Sequence, residues 1–356
     1  MSQAETAESG SGEGPEAPST GSRPPAGGAP EPVHPQPPTP EGAAPRRERS
    51  NLALRLVTAG IGIPLVCGVI YAGGLWVLGI ITVLTLIGVN EFYQLIEAKG
   101  AVPLRSVGYA AAGALPFVFY FGSDYQATVL MSFVLLGMLV AQLGKARITE
   151  SLASISGTFF GVFYVGWLLS HVIALRNFQA VVADRWGTPG LVGMDPDVGG
   201  YYLFMTVFVV IGGDAGAYFA GRAYGKRQLA PQISPNKTVE GALGALVAAV
   251  VVAAAMKASF DTWAPSLSMH LGWVTTLLMA PVLAALGIVG DLVESLLKRD
   301  AQVKDTGTLL PGTGGVLDRI DSNLIAVPVM YYFLLALTYL TEPVSAGVAP
   351  IMPITP

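Results

Sequence analysis

Charge is what this sequence has least of. Lys and Arg total 20 and Asp and Glu total 24 across 356 residues, so 12% of the chain is charged. A soluble domain usually carries about 25%. Residues 1–50 hold seven Glu and four Arg, which leaves 33 charges for the other 306 residues. Hydrophobic residues make up 52%, and the mean hydropathy is +0.56. Too little polar surface remains to cover a water-soluble fold of this size. The composition excludes a soluble enzyme and indicates a polytopic membrane protein.

Other absences narrow the chemistry. Cys67 is the only cysteine, so there is no intrachain disulfide and no thiolate metal cluster. His34, His171 and His270 are far apart and none sits in an HExxH spacing, which argues against a histidine zinc site. The net charge of −4, with no basic stripe interleaved with aromatics, argues against a nucleic-acid partner. Lys237-Thr238 follows Ser234-Pro235-Asn236 rather than a P-loop glycine pattern, and there is no GxSxG elbow.

Residues 1–50 contain eleven of the 26 prolines and seven glycines, with no aromatic residue. Such a segment buries too little apolar area to offset its ordering entropy, so a disordered tail is expected. It lacks the layout of a cleaved secretory leader. From Leu52 onward, apolar stretches near the ~20 residues needed to cross a bilayer recur. About nine are expected, near 52–71, 75–96, 106–122, 126–143, 152–174, 202–221, 240–257, 272–293 and 322–341. The expected architecture is an all-α polytopic membrane protein. It divides into the tail 1–50, about five N-terminal transmembrane helices over 51–200, a C-terminal catalytic transmembrane region over 201–341, and a short tail 342–356.

The positive-inside rule supports this count. With the N-terminus in the cytoplasm, sixteen Lys and Arg fall on the cytoplasmic side, against Arg176, Arg185 and Lys257 on the far side. The expected placement is a bacterial plasma membrane with the polar stretches facing the cytoplasm.

Two of those stretches are too polar and Gly-rich for plain connectors: residues 211–240 and 290–322. Asp214 interrupts an apolar helix, while Asp291 and Glu294 lie at i,i+3 on one helix face. A carboxylate at membrane depth costs ~2.5–3.5 kcal/mol even on lenient insertion scales. Pairing with Arg222 or Lys298 to lock helices together is one compensation. Three such residues beside a second acidic pair, Asp318 and Asp321, favour a hard-cation site, and oxygen ligands without histidine or thiolate suit Mg²⁺. The cations Lys237, Lys298, Arg299, Lys304 and Arg319 serve orientation and lipid head-group attraction. They also interleave with acids in KRDAQVKD and LDRID, which suits phosphoryl or nucleotidyl transfer. The glycines of Pro311-Gly312-Thr313-Gly314-Gly315 suit either a plain turn or a backbone cradle for phosphate.

From Ser295 to Asp321 the chain reads S-L-L-K-R-D-x-x-x-K-D-x-G-x-x-x-P-G-x-G-G-x-x-D-R-x-D. This resembles the signature of phosphatidate cytidylyltransferases, also called CDP-diacylglycerol synthases. The upstream D-A-G-A-Y-x-x-G and S-P-N-K-T-x-E-G, between Asp214 and Gly241, resemble a second block of that family. Asn90-Glu91 resembles a further, shorter family feature. One position departs: Thr313 stands where the family pattern has histidine. Threonine keeps a hydrogen-bond donor but carries no proton near neutral pH. Retention of every motif carboxylate and cation favours a working enzyme in which that histidine is not an obligatory acid or base.

The resemblance implies transfer of the cytidylyl group of CTP to phosphatidate in the cytoplasmic leaflet, dependent on one or two Mg²⁺ ions, and suggests a homodimer. Carried over residue by residue, it puts Asp214, Lys237, Asp291, Lys298, Lys304, Asp318 and Arg319 in the catalytic set. Asp214, Asp291, Glu294, Asp318 and Asp321 become the metal ligands. Ser234, Thr238, Glu240, Ser295, Arg299, Asp305, Gly312, Thr313, Gly314 and Gly315 become substrate-binding residues. The alternatives are another CTP-using lipid enzyme, such as a polyprenol kinase or an isoprenoid-lipid cytidylyltransferase, or an ion-coupled transporter. A transporter would place its charges near the midplane of two internal repeats. Here they gather toward one face, and no repeat is visible.

Overall fold

A computed structural model describes residues 60, 62–144, 150–186, 193–307 and 314–341. The expected tail 1–50, the opening of the first expected span, Gly312, Thr313 and the segment 342–356 lie outside the described residues. Within them the chain is a helical membrane protein. In order come α1 (Gly62–Ala72), α2 (Gly74–Ala98), α3 (Arg105–Phe121), α4 (Asp124–Leu143) and α5 (Ser151–Gly161). A π-helical turn, Val162–Trp167, joins α5 to α6 (Leu168–Arg176), and α7 (Phe178–Trp186) follows. The second half comprises α8 (Val198–Tyr224), β1 (Gln228–Ala230), β2 (Ser234–Thr238), α9 (Val239–Trp263), α10 (Pro265–Ser268), α11 (Trp273–Asp300) and α12 (Leu317–Thr341).

Seven of these helical stretches are long and apolar enough to cross a bilayer, counting Ser151–Arg176 as one. The expected count of nine therefore resolves into seven such helices, the 17-residue α3 with Pro116 inside it, and α1, whose apolar run is shorter. Gly73, at φ +60 between α1 and α2, takes a conformation that only glycine adopts readily.

Two differences from the expected elements bear on the site. The span expected over 272–293 runs on to Asp300, so Ser295, Lys298 and Arg299 stand on the same helix as Asp291 and Glu294 rather than in a connector. The sequence LVESLLKRD holds no helix breaker, and the chain leaves the helix only at Gln302, which has φ 59. The segment 228–238 is a small antiparallel hairpin, with Gln228 opposite Thr238 and Ala230 opposite Ser234.

Buried side chains form two clusters. One gathers α2, α3, α4 and the π-helical turn around Phe92, Tyr93 and Leu115; the other gathers α6 to α9, α11 and α12 around Phe178, Tyr201, Tyr202 and Tyr331. Where hydrocarbon surrounds the protein, burial of apolar area drives helices together little, and close backbone approach matters more. The α8–α9 pair shows this. A Cβ on Gly244 would lie 2.9 Å from the Gly216 carbonyl oxygen, and one on Gly216 would lie 2.7 Å from that of Gly244. The small residues of DAGAYFAG and EGALGALVAA are thus packing requirements that hold Asp214 beside the start of α9.

Candidate active site

The site grows from one face of α11. Asp291, Glu294, Ser295 and Lys298 fall at i, i+3, i+4 and i+7, so their side chains stack along a single stripe. Gly290 on the same helix lets α12 approach. A Cβ there would sit 2.5 Å from the Asp321 carbonyl oxygen and 3.1 Å from Ser322 Cα. That contact sets Asp321 against Glu294. One oxygen each of Asp291, Glu294 and Asp321 lies within 4.8 Å of the others. We expect Gly290→Ala to push the helices apart, destabilising the protein by about 1–3 kcal/mol and weakening the site with it. A thermal melt in detergent and a rate measurement on the same preparation check this.

Glu294 is wholly buried. Its Oε2 lies 3.3 Å from Lys298 Nζ, yet neither carboxylate oxygen accepts a hydrogen bond among the described residues. Two facing carboxylates in a site with little water repel unless a proton or a cation lies between them. Orphaned acceptor oxygens in an all-oxygen donor set fit a hard divalent cation, and Asp291, Glu294 and Asp321 are the residues that would hold it.

The cluster opens into a cavity of about 820 Å³. Of the residues expected in the site, Asp214, Ser234, Lys237, Thr238, Asp291, Lys298, Asp305, Asp318, Arg319 and Asp321 line it. Arg222 and Asn236 line it too. Asp214 comes from α8, with the Ser322 hydroxyl beside its carboxylate. The hairpin carries Lys237 across the opening, where Nζ forms an ion pair of 2.5 Å with Asp291 Oδ2. Lys298 Nζ donates to Asp318 Oδ1 at 2.6 Å. Five carboxylates and four cations (Arg222, Lys237, Lys298 and Arg319) thus line a space large enough for a nucleotide.

Several expected site residues are occupied with holding the structure. Asp318 Oδ2 accepts from the Thr306 hydroxyl at 2.9 Å, the Thr306 N–H at 3.0 Å and the Gly315 N–H at 2.7 Å. With Lys298 on its other oxygen, Asp318 ties the connector to α11 while still lining the cavity. Glu240 accepts from the Lys226 and Arg227 backbone N–H groups and anchors the hairpin instead of lining the cavity. Thr238 lines the cavity but also caps α9, accepting from the Gly241 N–H at 3.1 Å. Ser295 is buried beside Asp291 Oδ1 at 3.4 Å, and the Arg299 guanidinium turns to the Ile233 carbonyl at 3.4 Å. Lys304 is exposed and does not line the cavity.

Gly314 and Gly315 face the protein's own carboxylates. Gly314 has φ +88, and a Cβ on it would meet Asp318 Oδ2 at 2.5 Å; one on Gly315 would meet Glu91 at 2.5 Å. Glu91, 3% exposed on α2, accepts from the Val316 N–H at 2.9 Å and the Leu317 N–H at 2.8 Å. It caps the last helix from the far end of the sequence, a role that the short Asn90-Glu91 match did not suggest.

Residues 53–337 match the cytidylyltransferase family. The chain belongs to that family. A phosphatidate cytidylyltransferase of Synechocystis sp. is 31% identical over 303 residues, covering 80% of this chain and 96% of that protein. That of Bacillus subtilis is 41% identical over 174 residues, covering 49% of this chain and 55% of that protein. Phosphatidate cytidylyltransferase 5, chloroplastic, of Arabidopsis thaliana is 31% identical over 307 residues, covering 81% and 73%. Membership of the cytidylyltransferase family agrees with the expectation raised by the two motif blocks, and those blocks supply most of the cavity wall.

Proposed function

We propose that this protein transfers the cytidylyl group of CTP to phosphatidate, giving CDP-diacylglycerol and pyrophosphate. The observation that carries the reading is the carboxylate triad Asp291, Glu294 and Asp321, of which Asp291 and Asp321 line a cavity that mixes acids and cations. In the reaction an oxygen of the lipid phosphate forms a bond to the α-phosphorus of CTP. The bond from that phosphorus to the bridging oxygen breaks, and pyrophosphate leaves with the electron pair. The lipid phosphate is already an anion at neutral pH, so no side chain has to generate the nucleophile. The task is to bring two polyanions together and align them in line.

A cavity with five carboxylates and four cations does not attract polyanions by itself. A divalent cation, Mg²⁺ for an oxygen donor set of this kind, supplies charge neutralisation on the phosphates and polarises the phosphoryl oxygen. Asp291, Glu294 and Asp321 are the residues that would hold it, and Asp214 lines the same cavity. Lys237, now paired with Asp291, would be released to a phosphate if Asp291 bound a cation, and Arg222 and Arg319 line the same cavity. Lys298 stays with Asp318 and Glu294, keeping the connector between α11 and α12 in register. Ser234, Asn236 and Asp305 remain for the ribose and the base. Gly312 and Thr313 keep their expected part in phosphate contact.

The excess of Lys and Arg at this end of the bundle supports a cavity that faces the cytoplasm of a bacterial cell, where CTP is found. The exposed Tyr218 and Phe219 of α8, beside the cavity, give phosphatidate an approach from the lipid.

An acceptor panel with CTP labelled at either the α- or the γ-phosphorus tests the reading. We expect α-label, and no γ-label, in the lipid product with phosphatidate as acceptor. γ-Label in a polyprenol product, or α-label only with an isoprenoid lipid, would replace it with a kinase or a different cytidylyltransferase.

A further inference from the structure

One face of α8 forms a wall of the cavity. Asp214, Ala217, Tyr218, Gly221 and Arg222 fall at i, i+3, i+4, i+7 and i+8, and all of them line it. Arg222 Nη1 donates to the Tyr218 hydroxyl oxygen at 2.9 Å. Tyr218 is one turn nearer to Asp214, so the guanidinium leans back along the wall, the direction in which side chains tilt on a helix. Two other cations of the cavity are committed to acids: Lys237 pairs with Asp291, and Lys298 with Asp318 and Glu294. Arg222 pairs with no carboxylate among the described residues, and the Tyr218 hydroxyl, which accepts from it, donates to no acceptor among them.

Beside that polar row runs an apolar one. Ile211, Ala215 and Phe219 stand at i, i+4 and i+8 on the same helix, each three residues before Asp214, Tyr218 or Arg222, and all three are exposed. An exposed apolar row on a membrane-spanning helix meets acyl chains. The two rows together suit an amphiphile whose phosphate enters the cavity while its chains stay along the apolar row. A guanidinium has five N–H donors, so the bond to Tyr218 leaves a planar fork for two phosphate oxygens, which an ammonium cannot match. A phosphomonoester carries about 1.5 to 2 negative charges near pH 7 and has three terminal oxygens, so two can be held while the third stays open. A phosphodiester has no third terminal oxygen.

We propose that Arg222 and Tyr218 clamp the phosphate of the lipid acceptor and select a phosphomonoester. The guanidinium holds two terminal oxygens, the Tyr218 hydroxyl donates a hydrogen bond to one of them, and the third oxygen forms the bond to the α-phosphorus of CTP. The inference rests on the reading of the protein as a phosphatidate cytidylyltransferase, and it assigns the acceptor side of the cavity to α8. Arg222→Gln removes the charge and the fork, Arg222→Lys keeps the charge alone, and Tyr218→Phe removes only the hydroxyl.

The test is steady-state kinetics of the purified full-length protein and these three variants in detergent micelles. The mole fraction of phosphatidate is varied at saturating CTP, and CTP at saturating phosphatidate, with a thermal melt of each preparation. In Arg222→Gln the KM for phosphatidate should rise about 10- to 100-fold, the loss of a charge-assisted contact, while the KM for CTP and the melting temperature stay with the parent. Arg222→Lys should recover part of that loss. Tyr218→Phe should raise the same KM about two- to tenfold. A parent-like KM for phosphatidate in Arg222→Gln overturns the proposal. A rise confined to the KM for CTP gives Arg222 to the nucleotide and also overturns it. So does a lower melting temperature with both KM values unchanged, which makes the pair structural. A parent that turns over CTP with another acceptor and not with phosphatidate removes the proposed function, and the clamp with it.

Discussion

Asp291→Asn is expected to lower turnover by about a thousandfold or more while the protein inserts, purifies and melts much as the parent does. The substitution keeps the side chain's size and its hydrogen-bonding contact with Ser295, 3.4 Å away. It removes the charge that pairs with Lys237 at 2.5 Å and that would face a divalent ion together with Glu294 and Asp321. Loss of about 4 kcal/mol of electrostatic stabilisation in a preorganised site corresponds to that factor. Because a neutral amide is cheaper than a carboxylate at membrane depth, insertion should not suffer. Rates at saturating Mg²⁺, alongside size-exclusion profiles, check this. A near-parent rate would remove Asp291 from the metal site.

The second large effect is expected at a residue that touches no substrate. Glu91→Ala leaves the N–H groups of Val316 and Leu317 without their acceptor in a buried setting. Each unsatisfied group costs about 1–3 kcal/mol. The start of α12 carries Asp318 and Asp321, so a displacement of roughly 1 Å there should cost on the order of a hundredfold in rate. Glu91→Gln keeps one acceptor oxygen and should fall between Ala and the parent in both melting temperature and rate. Parent-like stability and rate in Glu91→Ala would show that the connector is held in place by Asp318 alone.

These two residues mark what was legible in the sequence. Asp291 and Glu294 are three apart on an apolar helix, a spacing that points to one face and an expensive location, so their chemistry could be argued directly. Glu91 could not be treated this way, because its partners lie 225 and 226 residues further on and no local pattern links them. The glycines before α12 suited either a plain turn or a phosphate cradle. Gly314 and Gly315 also make room for the carboxylates of Asp318 and Glu91, which is a further reason for having no side chain. Asp318 was grouped with the metal ligands by its motif, and its four contacts with Lys298, Thr306 and Gly315 add a structural part that the motif did not suggest. The spans were legible because hydropathy is a strong signal over about 20 residues. The exceptions are α1 and α3, whose described helices are too short to qualify. The hairpin was missed because a five-residue strand reading SPNKT, with a proline and a lysine, carries no alternation of apolar and polar residues.

The most direct measurement is the stoichiometry of the reaction by the purified full-length protein in detergent, with radiolabelled CTP and phosphatidate. The account predicts one CDP-diacylglycerol for each pyrophosphate, no product without phosphatidate, loss of activity on chelation, and recovery when Mg²⁺ is restored. Pyrophosphate release that does not depend on phosphatidate, or full activity in excess chelator, would contradict it.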